Sequence, residues 1–162
     1  MGTFKITGGH KLRGDFQPQG AKNETLQILC AVLLTKEKVI INNIPNIVDV
    51  SKLIDLLGAL NVKVEKLKAN CYSFQAEDVD IEFMHSPEYM KRGGGLRGSI
   101  MLVGPLLGRF GKGYIPKPGG DKIGRRRVDT HFIGFEKLGA TFSYEPEGHV
   151  YRAHAKELKG AF

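Results

Sequence analysis

Val50-Ser51-Lys52-Leu53-Ile54-Asp55-Leu56-Leu57-Gly58-Ala59-Leu60-Asn61-Val62-Lys63-Val64 has a counterpart 78 positions on (128 − 50), beginning Val128-Asp129-Thr130-His131-Phe132. Val50 and Val128, Leu60 and Leu138, and Val64 and Phe142 hold the same places in the two stretches. Leu53, Ile54, Leu57 and Leu60 recur at helical spacing on one face, as do Phe132, Phe135 and Leu138, so each stretch reads as an amphipathic helix leading into two strands. A more apolar helix stands ahead of each, over 24–34 and 99–107, followed by a short strand over 39–42 and 113–116. The unit is strand, helix, strand, helix, strand, strand, and it occurs twice.

A third beginning is visible at the end. Lys11-Leu12-Arg13-Gly14-Asp15-Phe16 is echoed by Glu157-Leu158-Lys159-Gly160-Ala161-Phe162. Repeated units cover one another's apolar faces, so this echo predicts an N-terminal piece of a longer repeat protein.

The 162 residues are 41% hydrophobic and 25% charged, the balance of a folded globular chain rather than a disordered one. A formal charge of +7 points to anionic partners such as nucleic acid, an acidic membrane surface or phosphorylated small molecules. No apolar run approaches the roughly 20 residues that span a bilayer, and Met1-Gly2-Thr3-Phe4-Lys5 lacks the apolar block of a secretory signal, which predicts a cytoplasmic protein. Cys30 and Cys71 have neither CxxC nor metal-ligand spacing and read as packing residues.

Chemistry concentrates at loops and helix starts. Pro118-Gly119-Gly120-Asp121-Lys122-Ile123-Gly124-Arg125-Arg126-Arg127-Val128-Asp129 is poor core material but suits a loop that closes over an anion, with one carboxylate, Asp121, amid cations. Gly20-Ala21-Lys22-Asn23 precedes the first apolar helix and Gly93-Gly94-Gly95-Leu96-Arg97-Gly98-Ser99 the second, while Arg126 and Arg127 reach the start of a third. Each places a cation where free N–H groups and the helix dipole already favour negative charge. One such cation is ordinarily just solvated; three on repeated units predict a polyanionic ligand.

These segments, together with Asn43-Ile44-Pro45 and Gly104-Pro105-Leu106, closely resemble the N-terminal part of the enolpyruvyl transferase family, in particular the members that act on UDP-N-acetylglucosamine. The likeness runs along essentially the whole chain, and family members are more than twice as long. It implies an inside-out α/β barrel of two domains, each of three such units, with substrates in the cleft between them. On that pattern residues 1–20 are strands that would pack in the second domain, and 21–162 are the first two units of the first domain, stopping before the third. The implied reaction moves the enolpyruvyl group of phosphoenolpyruvate to the 3'-hydroxyl of UDP-N-acetylglucosamine and releases phosphate, the opening step of peptidoglycan synthesis. Neither metal nor organic cofactor, and neither nucleic acid nor membrane partner, is implied.

Carried over by position, Lys22, Asn23 and Arg126 match residues that hold phosphoenolpyruvate. Arg97, Arg126, Arg127, Val128, Asp129 and Thr130 match those that grip the sugar nucleotide. Asp121 stands where many members have a cysteine that protonates the methylene carbon, and a subset has aspartate. Val48 is apolar where a basic residue is common, and Arg92-Gly93-Gly94-Gly95 reads as a looser approach to Arg97 than the family's helix-like one. The resemblance thus predicts a piece inactive on its own. The competing class is a basic nucleic-acid-binding module, suggested by Arg125-Arg126-Arg127 and by aromatic residues beside basic ones, as in Lys112-Gly113-Tyr114.

Overall fold

The structure, a computed structural model, describes residues 3–117, 119 and 127–160. It contains two units of like build. In the first, α1 (Lys22–Ala31) runs through a single 3₁₀ turn, Val32–Leu34, to β1 (Lys38–Ile41); α2 (Val48–Ala59) then leads into β2 (Lys63–Lys68) and β3 (Cys71–Gln75). After a connection containing α3 (Pro87–Gly94), the second unit follows. A 3₁₀ segment, Arg97–Leu102, passes into α4 (Val103–Phe110), then come β4 (Lys112–Pro116), α5 (Asp129–Lys137), β5 (Thr141–Glu145) and β6 (Val150–His154).

Each unit forms a three-stranded antiparallel sheet with its last strand in the middle, β1-β3-β2 and β4-β6-β5. The registers correspond: Lys38 and Lys63 flank Gln75 as Lys112 and Thr141 flank His154. The 78-residue offset is a geometric repeat as well, because α2 and α5 end in the same motif. Asn61 N–H donates to Gly58 and Val62 N–H to Leu57; likewise Gly139 donates to Glu136 and Ala140 to Phe135. Such a motif requires left-handed backbone one residue past the C-cap residues Leu60 and Leu138, supplied by Asn61 (φ 65°) and Gly139 (φ 98°).

Helices α1, α2 and α4 are inside and the sheets outside, whereas α5 has no fully buried residue and lies at the surface with Phe132 and Phe135 half-buried against the second sheet. Leu29 and Leu33 of the first helical run, Leu53, Leu56, Leu57 and Leu60 of α2 and its cap, and Leu102 and Leu106 from the second unit are all fully buried in one core. A smaller core lies under the second sheet around Val103, Leu107, Ile115 and Ala153, flanked by Phe132, Phe135 and Phe142. Both cysteines are buried, as packing residues should be, and burial pushes the Cys30 thiol up to about 12.

Three expectations need correction. The apolar helices are shorter than their apolar runs, because 32–34 and 97–102 tighten into 3₁₀ turns. The opening strand of the unit is absent among the described residues, since neither 3–20 nor 76–96 forms one and each unit begins at its helix; residues 3–19 are exposed throughout, and their pairing in a second domain stays an expectation of the resemblance. Finally, the approach to Arg97 is not loose. Ser86 Oγ accepts the N–H of Tyr89 at 3.1 Å, Pro87 occupies the first turn and Glu88 pairs with Arg92, so 87–94 is a capped helix despite two glycines at its end. Gly93 is there for closeness: a Cβ on it would lie 2.7 Å from Pro116 Cγ.

Arg109 clasps the units. Its guanidinium donates to the carbonyls of Leu33 at 2.8 Å, Thr35 at 3.0 Å and Glu77 at 3.3 Å, joining the end of α4 to two separate segments of the first unit. A hydrogen bond to a charged group contributes about 1.5–3 kcal/mol, so Arg109→Met should lower unfolding free energy by roughly 2–3 kcal/mol, read as a shift in urea midpoint at unchanged m-value. A midpoint equal to the parent's would show that water replaces the clasp.

Candidate functional site

The helix starts carrying the expected anion-binding residues have no side-chain caps. Ala21 precedes α1, Ile47 precedes α2, Leu96 precedes the 97–102 turn and Val128 precedes α5, and none offers a side-chain acceptor to the first turn. At α3, which carries no such residue, Ser86 does. Uncapped first turns keep N–H donors and the positive dipole end available to a bound anion.

Packing brings three of these starts together. A Cβ on Gly20 would lie 2.0 Å from the Asn43 carbonyl oxygen, so the segment before α1 crosses the Asn43-Ile44-Pro45 turn in backbone contact, Asn43 itself being left-handed (φ 59°). Lys22, first residue of α1, forms an ion pair with Asp49 in the first turn of α2. Gly98 abuts Leu26, one turn into α1, where a Cβ would sit 3.2 Å from the leucine methyl. That contact sets half-buried Arg97 beside the start of α1, and among the described residues Arg97 makes no ion pair. Asn23 is exposed at the second position of α1.

The remaining described site residues gather at α5. Arg127 donates from Nε to both carboxylate oxygens of Asp129, each at 3.0 Å, and Nη2 completes a bidentate pair. That bond from Arg127 holds the Asp129 carboxyl below its usual range, while the same pair pushes the Arg127 guanidinium up. Val128 is half-buried against the smaller core and Thr130 is exposed in the first turn. No ion pair or hydrogen bond among the described residues links this group to Lys22 or Arg97. Gly119 runs against the C-terminus of α3, where a Cβ would meet the Gly94 carbonyl at 2.1 Å. Asp121 and Arg126 lie outside the described residues.

Sequence reasoning missed Asp49, the partner of Lys22. Its only sequence signal is an acid in the first turn of a helix, which ordinarily means dipole compensation. A groove of about 280 Å³ lined by Lys112, Tyr114, Arg152 and His154 lies on the outer face of the second sheet, away from these starts. Lys112 is already paired with Glu82 and Arg152 with Glu145, so it offers an anion little uncompensated charge. No group of three or more metal-ligating side chains occurs among the described residues, and no described helix is long and apolar enough to cross a membrane.

Helices α1, α2 and α4 packed inside two outward sheets, with uncapped cationic starts meeting at one end of α1, define an α/β protein of the inside-out type. Two solved structures share the fold. The enolpyruvyl transferase NikO from Streptomyces tendae superposes with a TM-score of 0.68 at 20% identity, covering 94% of this chain and 32% of that one. The EPSP synthase of Acinetobacter baumannii gives 0.59 at 15%, covering 91% and 33%. The family model for EPSP synthase (3-phosphoshikimate 1-carboxyvinyltransferase) matches residues 6–161, and the chain belongs to that family. Among curated relatives, the UDP-N-acetylglucosamine 1-carboxyvinyltransferase of Bacteroides fragilis is 55% identical over 160 residues and that of Porphyromonas gingivalis 47% over 162. The chain spans 37% of the length of each.

The Arg127–Asp129 pair gives α5 a pH signature. Asp129 titrates below its unfolded value near 3.8, so the contribution of the pair is present above that pH and lost as pH falls through the lower folded midpoint. Carboxyl-carbon NMR should place the Asp129 midpoint below 3.8 and Arg127→Ala should raise it; an unmoved midpoint would dissolve the pair.

Proposed function

We propose that the chain forms the first wall of a UDP-N-acetylglucosamine 1-carboxyvinyltransferase site, in a protein whose remaining repeat and second domain supply the other wall. The observation that carries this is the meeting of uncapped helix starts at Lys22 and Arg97, joined to 55% identity with a relative of that name. Lys22 and Asn23 would hold phosphoenolpyruvate, a point-charge ammonium and an amide suiting a phosphate at a helix start. Arg97, Arg127, Val128, Asp129 and Thr130 would line the sugar-nucleotide side, with Arg126 near the phosphoryl groups.

In the reaction the sugar 3'-hydroxyl gives its proton to a carboxylate expected outside this chain as its oxygen bonds to C2 of phosphoenolpyruvate, and the methylene carbon takes a proton from a general acid. The tetrahedral adduct then loses phosphate and a proton from that same carbon, which leaves the enolpyruvyl ether. Asp121 is the proposed proton donor. An ordinary aspartate is ionised at neutral pH, and neighbouring arginines favour that form. The negative charge of bound phosphoenolpyruvate and exclusion of water on closure would favour the protonated one. The activity belongs to the first committed step of peptidoglycan synthesis, in the cytoplasm, and so to cell-wall growth, shape and division. A nucleic-acid module gains no support: Phe132 of α5 packs on Phe142 and Tyr151 of its sheet at 4.7–4.8 Å against the smaller core, and only Tyr144, stacked on Tyr151, is exposed.

Joined to the remainder of the Bacteroides fragilis relative, the chain should release phosphate from phosphoenolpyruvate only when UDP-N-acetylglucosamine is present; alone it should not. General acid catalysis contributes about 10²–10⁴-fold, so Asp121→Asn should lose turnover on that order while Asp121→Cys retains it. Fosfomycin, an epoxide that alkylates the thiolate of cysteine-bearing relatives, should spare the parent, because a carboxylate is a poorer nucleophile, and inactivate the cysteine variant. Parental turnover by the asparagine variant would remove Asp121 from the chemistry, and a fosfomycin adduct on Asp121 would overturn the nucleophilicity argument.

A further inference from the structure

Lys22 is engaged in an ion pair, and its partner comes from another helix. Asp49 sits in the first turn of α2 immediately before Val50, which is buried, and Leu53 fixes the next turn in the core, so the carboxylate stands on a rigid base. The uncapped start of α2 favours a negative charge at that point. Val48 beside it is apolar and 68% exposed, and Lys52, one turn on, forms no ion pair among the described residues. Lys22 is therefore the cation Asp49 serves.

The two ends of the pair differ in what they need. A lysine in the first turn of α1 faces the positive end of its own helix and has a long, rotatable stem, so nothing local fixes its ammonium. An ammonium has three N–H donors and no acceptor. A carboxylate taking one of them from the α2 side leaves two for an anion docked at the start of α1.

We infer that Asp49 is a positioning residue for phosphoenolpyruvate: it holds the Lys22 ammonium at the junction of α1 and α2 so that two donors face the phosphate. This rests on the transferase reading for the identity of the anion, but not for the pairing itself. Asp49 does not touch the reacting atoms, and its removal leaves Lys22 charged yet unaimed. The effect thus belongs to one substrate and not the other.

Two measurements test it. In the joined protein, Asp49→Asn should raise KM for phosphoenolpyruvate about tenfold and leave KM for UDP-N-acetylglucosamine within twofold, with Asp49→Glu recovering part of the loss. Equal changes in both KM values, a loss confined to kcat, or no change would overturn the positioning role. In the chain alone, competitive acylation should label Lys22 at least threefold faster in Asp49→Asn than in the parent, with exposed Lys36 as internal reference. Unchanged labelling overturns the pairing whatever the kinetics. Faster labelling with no phosphate release would sink the transferase reading and leave the pairing standing.

Discussion

One shared helical core holds the molecule together. The second three-stranded sheet has a smaller core of its own beneath it, but the core under the first is completed from outside its unit. The first covers its apolar face with α1 and α2, and Leu102 and Leu106 from the second unit complete the same core. A lone small sheet is marginal in water, and burying a leucine contributes about 1.5–3 kcal/mol. Leucines contributed from both units therefore couple the two, and Arg109 adds a polar clasp across the same seam. The meeting of Lys22 and Arg97 follows from that constraint. Once α1, α2 and the 97–102 turn share one interior, the order of the chain leaves their N-termini close together at one end.

That convergence is electrostatically awkward before any ligand arrives. Dipole logic puts acids at helix starts and bases at helix ends, yet Lys22, Arg97 and Arg127 stand at or beside starts. Two of the three have a carboxylate drawn in. Asp49 comes to Lys22 from a neighbouring helix, and Asp129 comes to Arg127 from the same turn. The missing side-chain caps belong to the same pattern. Serine caps α3, where no ligand is expected, while alanine, isoleucine and leucine precede α1, α2 and the 97–102 turn without capping them; α4 after Leu102 is uncapped too, and at α5 the Asp129 carboxylate itself takes first-turn N–H groups. Departures from local rules tend to gather where function requires them.

What was legible in the sequence was what repeats. The 78-residue offset correctly located both amphipathic helices and the strands after them, because cap, register and core spacing all recur with the unit. The connection containing α3 has no counterpart in the first unit, so periodicity was silent there. Its real signal, Ser86-Pro87-Glu88 opening a helix, was outweighed by the glycine run that closes it. The strand expected at the start of each unit failed for a different reason: strand propensity cannot make a ladder without a partner. Of the site, the cations were legible as residue types at helix starts, but not which starts would meet. Asp49 stayed hidden because its pairing depends on how α1 and α2 cross, which no local pattern encodes.

The glycines explain how such crossings are possible. Gly20, Gly93, Gly98 and Gly119 each lie where a Cβ would come within 3.2 Å of a neighbour, and at Gly20 and Gly119 that neighbour is a backbone carbonyl, at 2.0 and 2.1 Å. A side chain can turn aside, but a carbonyl in a packed turn cannot, so at these two positions any larger residue would force the segments apart. Gly20 governs the approach of Lys22 to the α2 side, and Gly119 governs how the chain leaving β4 lies against α3. Glycines that look in sequence like flexible phosphate loops therefore act here by letting backbone touch backbone. Lys22 and Arg97 are thus placed by close packing, of Gly20 on the Asn43 carbonyl and of Gly98 on Leu26.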